Sequence, residues 1–163
     1  MAKVRVLLAD DHQTTLASVR HELGEEFEIV GIAGNGQEAV DAVFRFDPDV
    51  LVIDISMPVL NGLEAASRLR AACCRTKVVF LTIHDDQDFI TAAFSAGASG
   101  YVTKNRLSLD LVLAIREALL GKTFTSQTLR KSHARSTAPI SFCSILLPPI
   151  RNSKIPFPSQ QAT

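Results

Sequence analysis

Short apolar runs alternate along the chain with segments whose apolar positions recur every three or four residues. The runs occupy residues 4–9, 27–33, 50–53, 78–81 and 101–102. Runs this short and this apolar predict strands buried on both faces of a parallel sheet. Between them the period becomes helical. Leu16, Val19 and Leu23 share one face, and Gly24 closes that helix. Asn35-Gly36-Gln37-Glu38 offers an N-cap with a glutamate three residues on. It opens a second helix carrying Ala39, Val40, Val43 and Phe44 inward, stopped by Asp47-Pro48. Pro58 and Asn61-Gly62 shape a loop before a third helix with Leu63, Ala66 and Leu69. Asp85 or Asp86 caps a fourth, with Phe89, Ile90, Ala93 and Phe94 on its inner side. Residues 96–100 turn the chain into the fifth strand. Ser108 caps the last helix, whose inner face is Leu111, Ile115 and Ala118, and Gly121 stands at C′.

Five strands and five helices thus fit within residues 3–121. Right-handed crossovers and apolar central strands favour a doubly wound α/β fold, a five-stranded parallel sheet of order 2-1-3-4-5. The 163-residue length suits one domain with an appendage, and a hydrophobic share of 47% is enough for a real core. Residues 122–163 differ: Pro139, Pro148, Pro149, Pro156 and Pro158 lie among many Ser and Thr, which predicts a poorly structured, disordered or loosely held tail. Net charge is zero but unevenly spread. The last acid is Glu117, whereas Lys122, Arg130, Lys131, Arg135, Arg151 and Lys154 make the tail basic. Such asymmetry fits an acidic partner or simply a solvated tail. Cys73, Cys74 and Cys143 have neither zinc-ligand spacing nor an even count, so free thiols in a reducing cytoplasm are expected. No signal peptide is visible ahead of the first strand, and no run is long enough to cross a bilayer.

The chemistry lies at the strand ends. Asp10 and Asp11 follow the first run, Asp54 the third, Thr82 the fourth, and Lys104 comes just after the fifth. Ligands of open parallel sheets gather outside the carboxyl ends of the strands. Three carboxylates, a hydroxyl and an ammonium should therefore converge. Repelling carboxylates need a cation, and an all-oxygen set suits Mg²⁺. Asp54, backed by a hydrophobic run, reads as a rigid nucleophile able to form an acyl phosphate. Asp11 and Asp54 would hold the metal directly and Asp10 through a bound water. Lys104 would pair first with the carboxylate and then with a phosphoryl oxygen, and Thr82 would donate to that oxygen. Singly, each has a plainer explanation: strand-end acids cap helices, and lysines are solvated. The set is what points to phosphoryl chemistry.

The pieces Val6-Leu7-Leu8-Ala9-Asp10-Asp11-His12, residues 54–62 (Asp-Ile-Ser-Met-Pro-Val-Leu-Asn-Gly), Leu81-Thr82 and Gly97-Ala98-Ser99-Gly100-Tyr101-Val102-Thr103-Lys104 together resemble receiver domains of bacterial two-component response regulators. The stretches 81–86 and 96–101 are similar to the NarL/FixJ (LuxR-type) subfamily. The resemblance covers residues 3–121. It implies the CheY-like form of the flavodoxin-like fold and Asp54 as phosphoacceptor, with the phosphohistidine of a sensor histidine kinase as donor. It implies Mg²⁺ on Asp11, Asp54 and the Ser56 carbonyl, with Asp10 outside them. Thr82 and Tyr101 become a switch pair: Thr82 moves toward the phosphoryl group and Tyr101 turns inward. Ser56 and His84 would set how fast water removes that group. Such a chain is not an enzyme beyond its own phosphorylation and dephosphorylation. The helix 4, strand 5 and helix 5 region and the surfaces of helices 1 and 5 are the candidate faces for a homodimer.

Two features depart from that pattern. Asn105 follows Lys104 where many receivers carry a cis proline, which leaves the isomer of that bond open; a non-proline cis bond costs ~3 kcal/mol. And nothing after Gly121 resembles the helix-turn-helix that normally follows, because the long 3.6-residue period is missing. A frameshifted or truncated gene would end this way; so would a stand-alone receiver. Two other readings compete. The basic tail could contact DNA phosphates in a transcription regulator. An Asp-nucleophile phosphatase could use the same sheet, but wants an acid where Ser56 stands.

Overall fold

Side chains along a strand alternate between faces, and here both faces are covered. A computed structural model describes residues 2–126. Strands β1 (Val4–Ala9), β2 (Phe27–Ala33), β3 (Val50–Ile53), β4 (Lys77–Thr82), β5 (Gly100–Thr103) and β6 (Phe124–Thr125) form one sheet in the order β2-β1-β3-β4-β5-β6, every pair parallel. Val6, Leu8, Val52, Val79, Leu81 and Val102 pack with α1 (Gln13–Leu23) and α5 (Leu107–Leu119). Leu7, Ala9, Leu51, Ile53, Phe80 and Tyr101 pack with α2 (Gly36–Phe46), α3 (Gly62–Ala71) and α4 (Gln87–Ser95). The largest fully buried side chains crowd β1, β3 and β4. Each such Leu or Phe contributes roughly 1.5–3 kcal/mol of burial. The carboxyl ends of these three strands are therefore the best-anchored points from which to hold a reactive group.

The doubly wound parallel sheet is as expected, with six strands in place of five. After Gly121 the chain comes back along β5. Phe124 N–H donates to the Ser99 carbonyl (3.0 Å), Ser126 N–H to the Tyr101 carbonyl (3.0 Å), and Thr103 N–H to Ser126 Oγ (3.3 Å). A two-residue edge strand carries no alternation to read, so the sequence pattern does not predict it. Phe44 is the second correction: it is 58% exposed. Phe46 packs against the core instead, its ring against Gly31 of β2, where a Cβ would stand in tight contact with it at 3.2 Å. Ser108 is the third. It lies inside α5, whose N-cap is Arg106, after a short 3-10 turn over Lys104–Arg106.

Capping explains the other ends. Asn35 Oδ1 accepts from Glu38 N–H (2.9 Å), as its spacing predicted. Asn61 and Glu64 form a full capping box at α3. Asp86 occupies the N-cap of α4 without a side-chain capping bond. Gly24 and Gly121 take positive φ beyond α1 and α5. No described peptide bond is cis, Lys104-Asn105 included. No helix among the described residues is long and apolar enough to cross a membrane. The expected loose tail from residue 127 onward, with Cys143, lies outside the described residues.

Two glycines hold the loop after β3. A Cβ on Gly62 would fall well inside contact distance of the Asp54 carbonyl oxygen, and one on Gly36 would strike that of Leu60. Gly62 N–H donates to the Ile55 carbonyl (2.8 Å) and Gly36 N–H to that of Leu60 (2.9 Å). Between them Val59 has φ +69° at the centre of a tight turn closed by Leu60 N–H and the Pro58 carbonyl (2.7 Å), an unusual conformation for a β-branched residue. Gly62→Ala should therefore lower stability by about 3 kcal/mol, the upper end of an overpacking cost. Urea unfolding of the two proteins checks this; an unchanged midpoint would contradict the close packing.

Candidate functional site

Asp10 and Asp54 stand just past β1 and β3, which pair directly in the sheet. Their amides continue the ladder: Asp10 N–H donates to the Ala33 carbonyl (3.1 Å) and Asp54 N–H to the Ala9 carbonyl (3.0 Å). The backbone beneath both carboxylates is thus as fixed as a strand. Both residues are buried, Asp54 being 4% exposed. A carboxylate withdrawn from water needs a partner. Lys104 is that partner, its Nζ 2.8 Å from Asp10 Oδ2 and 3.1 Å from Asp54 Oδ2. Burial would lower the pKa of this lysine. The hydrogen bond to Asp10 and the charges of Asp54 and Asp10 outweigh that, and the net shift is upward. Lys104 stays an ammonium bridging two acids. Asp54 Oδ1 also accepts the Ile55 N–H (2.7 Å).

Asp11 turns its carboxylate to the same space. Ligand atoms of Asp10, Asp11, His12 and Asp54 all lie within 4.8 Å of one another. His12 is the member that sequence reasoning passed over, quoting it only as part of a motif. Its Nδ1 lies 2.9 Å from Asp11 Oδ1 and 3.2 Å from Asp10 Oδ1, and its N–H donates to Asp10 Oδ1 (2.8 Å). Three hard oxygen donors from adjacent strand ends fit a divalent ion, and Mg²⁺ is the ion such oxygens suit.

Thr82 and Tyr101 fall on the α4 side of the sheet. Thr82 is fully buried, and its hydroxyl accepts from His84 N–H (3.3 Å). Tyr101 is fully buried as well, its ring tilted against Phe80 at 6.4 Å. Its hydroxyl donates to the His84 carbonyl (2.9 Å). Burial, with the nearby charges of Asp85, Asp86 and Asp54, raises its pKa, so it keeps the proton it donates. This is the inward pose that the resemblance implies for Tyr101. Ser56 lies on the exposed loop, its Oγ hydrogen-bonded to His84 Nε2 at 2.8 Å. All seven expected residues thus fall into two groups: Asp10, Asp11, Asp54 and Lys104 meet at the acidic pocket, while Ser56, Thr82 and Tyr101 meet at His84.

Comparison with known proteins agrees with this geometry. The family model described as the response regulator receiver domain matches residues 6–116. The chain is 36% identical over 124 residues to the transcriptional regulatory protein DegU of Brevibacillus brevis, covering 75% of this chain and 52% of that protein. It is 34% identical over 132 residues to the oxygen regulatory protein NreC of Staphylococcus epidermidis, covering 79% and 61%. The chain thus spans little more than half the length of these two relatives. Among solved structures, a LuxR-family two-component response regulator from an Aurantimonas species superposes with a TM-score of 0.74 at 31% identity, covering 78% of this chain and 93% of that one. The signal receiver domain of the NarL regulator of Mycobacterium tuberculosis gives 0.71 at 28%, covering 75% and 100%.

Removing the bridging cation should be costly. Lys104→Met should destabilise the fold by about 2–3 kcal/mol in metal-free buffer, less than for a fully enclosed pair because Lys104 keeps some solvent contact. Adding Asp54→Asn should return more than half of that loss, since one of the two facing charges goes with it. Denaturant titrations of the single and double variants measure both; equal losses would deny that Lys104 acts by holding the two acids.

Proposed function

We propose, for a chain that belongs to the response regulator receiver domain family and whose relatives are of NarL/LuxR type, a phosphorylation-controlled signalling switch with Asp54 as phosphoacceptor. The observation that carries the assignment is Lys104 shared between Asp10 and Asp54 at the ends of paired strands. An Asp54 carboxylate oxygen attacks phosphorus, the bond from phosphorus to the donor breaks, and an acyl phosphate remains on Asp54. The donor in this reading is the phosphohistidine of a sensor kinase. Lys104 moves from the carboxylate to a phosphoryl oxygen as charge shifts outward, and Thr82 gives its hydroxyl to another. Asp11, Asp54 and the Ser56 carbonyl would hold Mg²⁺, with Asp10 outside them. Mg²⁺ when bound neutralises the charge that builds on the phosphoryl oxygens.

Receiver domains are generally not enzymes, and the finer reading keeps this chain to its own phosphorylation and dephosphorylation. An Asp-nucleophile phosphatase would need an acid where Ser56 is. The receiver unit is residues 3–121, with β6 added along its edge. A cytoplasmic place accompanies a kinase donor. Leu109, Leu113 and Leu120, all exposed, share one face of α5 and its end. They favour a homodimer through α1 and α5 or through the α4, β5 and α5 region. Control of transcription is the output favoured by relatives named as regulators of it. DNA binding by the basic tail is the alternative, and its residues are not described.

Incubation with acetyl phosphate and Mg²⁺ should label the full chain on a phosphate-affinity gel, and Asp54→Asn should abolish the label. EDTA should suppress uptake at least tenfold, given that metal ions supply several kcal/mol of charge stabilisation. Undiminished labelling of Asp54→Asn would end the proposal. Mg²⁺ at a hundred times its Kd should also stabilise the wild-type fold by about 2.7 kcal/mol, and the effect should disappear in Asp11→Asn.

A further inference from the structure

Hydrogen bonds and a ring stack from separate parts of the fold converge on His84. Its Nε2 is bonded to Ser56 Oγ (2.8 Å), its N–H donates to Thr82 Oγ1 (3.3 Å), and its carbonyl accepts from Tyr101 OH (2.9 Å). Its imidazole stacks on Phe89 with centroids 4.1 Å apart and planes 19° from parallel. Ser56 belongs to the loop after Asp54, Thr82 to the end of β4, Tyr101 to β5 and Phe89 to the first turn of α4. In that first turn Ile90 is buried in the core and Phe89 packs against it. Asp86 makes no side-chain capping bond, and Ile90 and Ala93 are the buried residues of α4. The side chain of His84 is thus a direct link from the phosphorylation loop to the start of that helix.

We propose that His84 is a positioning residue, a latch whose Ser56 bond and Phe89 stack fasten the first turn of α4 to the loop after Asp54. Of the two groups that His84 holds, the Thr82 hydroxyl is the one the proposed function gives to the phosphoryl group, and the Ser56 hydroxyl stands two residues after Asp54. When either is drawn to that group, one restraint on His84 is lost, and the Phe89 stack carries the change into α4. The latch itself is a property of the unphosphorylated protein. Only its trigger rests on the reading of Asp54 as phosphoacceptor. The Tyr101 hydroxyl, bound to the carbonyl of the same residue, ties β5 to the same movement.

Amide hydrogen exchange on the full chain tests this. The first amides of a helix have no partner within it, so the informative ones are Thr91 to Ser95. In the unphosphorylated protein, Ser56→Ala and His84→Ala should each speed their exchange about fivefold, the factor expected when a single hydrogen bond's net contribution is lost. The double variant should exchange no faster than His84→Ala, because one link has been cut twice. Ser56→Thr, which keeps the hydroxyl, should restore protection. With acetyl phosphate and Mg²⁺, wild-type exchange in the same amides should rise, and the rise should be smaller in Ser56→Ala. Exchange in Ser56→Ala equal to wild type, or strictly additive effects in the double variant, would overturn the latch. Absence of phosphoryl label on the wild type would instead sink the phosphoacceptor reading, while the comparison in the unphosphorylated state would still decide the latch.

Discussion

Asp10 and Asp54 are nearly sealed from water on neighbouring strands, and two anions in that setting repel unless a cation lies between them. Lys104 lies there, on a turn leaving the next strand but one from β3. Its position depends on the sheet order, since only β4 separates β3 from β5. The sheet order in turn depends on apolar residues buried on both faces of β1, β3 and β4. The reactive pocket and the core are therefore one construction. Packing energy fixes the strand ends, and the ion cluster lets acids remain where packing puts them.

That arrangement is also a poised one. A buried carboxylate held by an ammonium is stable, yet the ammonium can be shared with any oxygen anion that arrives. The acidic group of Asp10, Asp11 and Asp54 favours a divalent cation, and the neighbouring lysine favours a phosphoryl group. The two preferences meet at Asp54. On the other side of the same carboxyl ends, buried Thr82 and Tyr101 both bond to His84, so a change at the pocket has a short mechanical path to α4. A switch needs such a local charge change coupled to an element with two arrangements of similar energy.

Much of this was legible in the chain. Strong features came through: the apolar runs, the Asn35 cap, Gly24 and Gly121, and the acids at strand ends. Each follows from a rule acting within a few residues. The features that were not legible depend on distant neighbours. Phe44 and Phe46 flank the inward face of α2 almost equally, and the empty space over Gly31 decides between them. Phe124 becomes a strand only because β5 offers an open edge. Ser108 resembled a cap, but the turn over residues 104–106 starts the helix earlier. At the site, Asp10, Asp11, Asp54 and Lys104 were found by position alone. His12 was passed over because a histidine after two acids has no spacing rule to mark it. The meeting of Ser56, Thr82 and Tyr101 on His84 crosses three loops and strands, which no periodicity encodes.

The central claim is that Asp54, and not one of the acids beside it, becomes the acyl phosphate. Borohydride converts an aspartyl phosphate to homoserine, which peptide mass spectrometry locates directly. After loading with a small phosphoryl donor and reduction, the account predicts homoserine at position 54 and unchanged aspartate at 10 and 11. Homoserine at either of those positions, or at none in protein that has taken up phosphoryl, would contradict it.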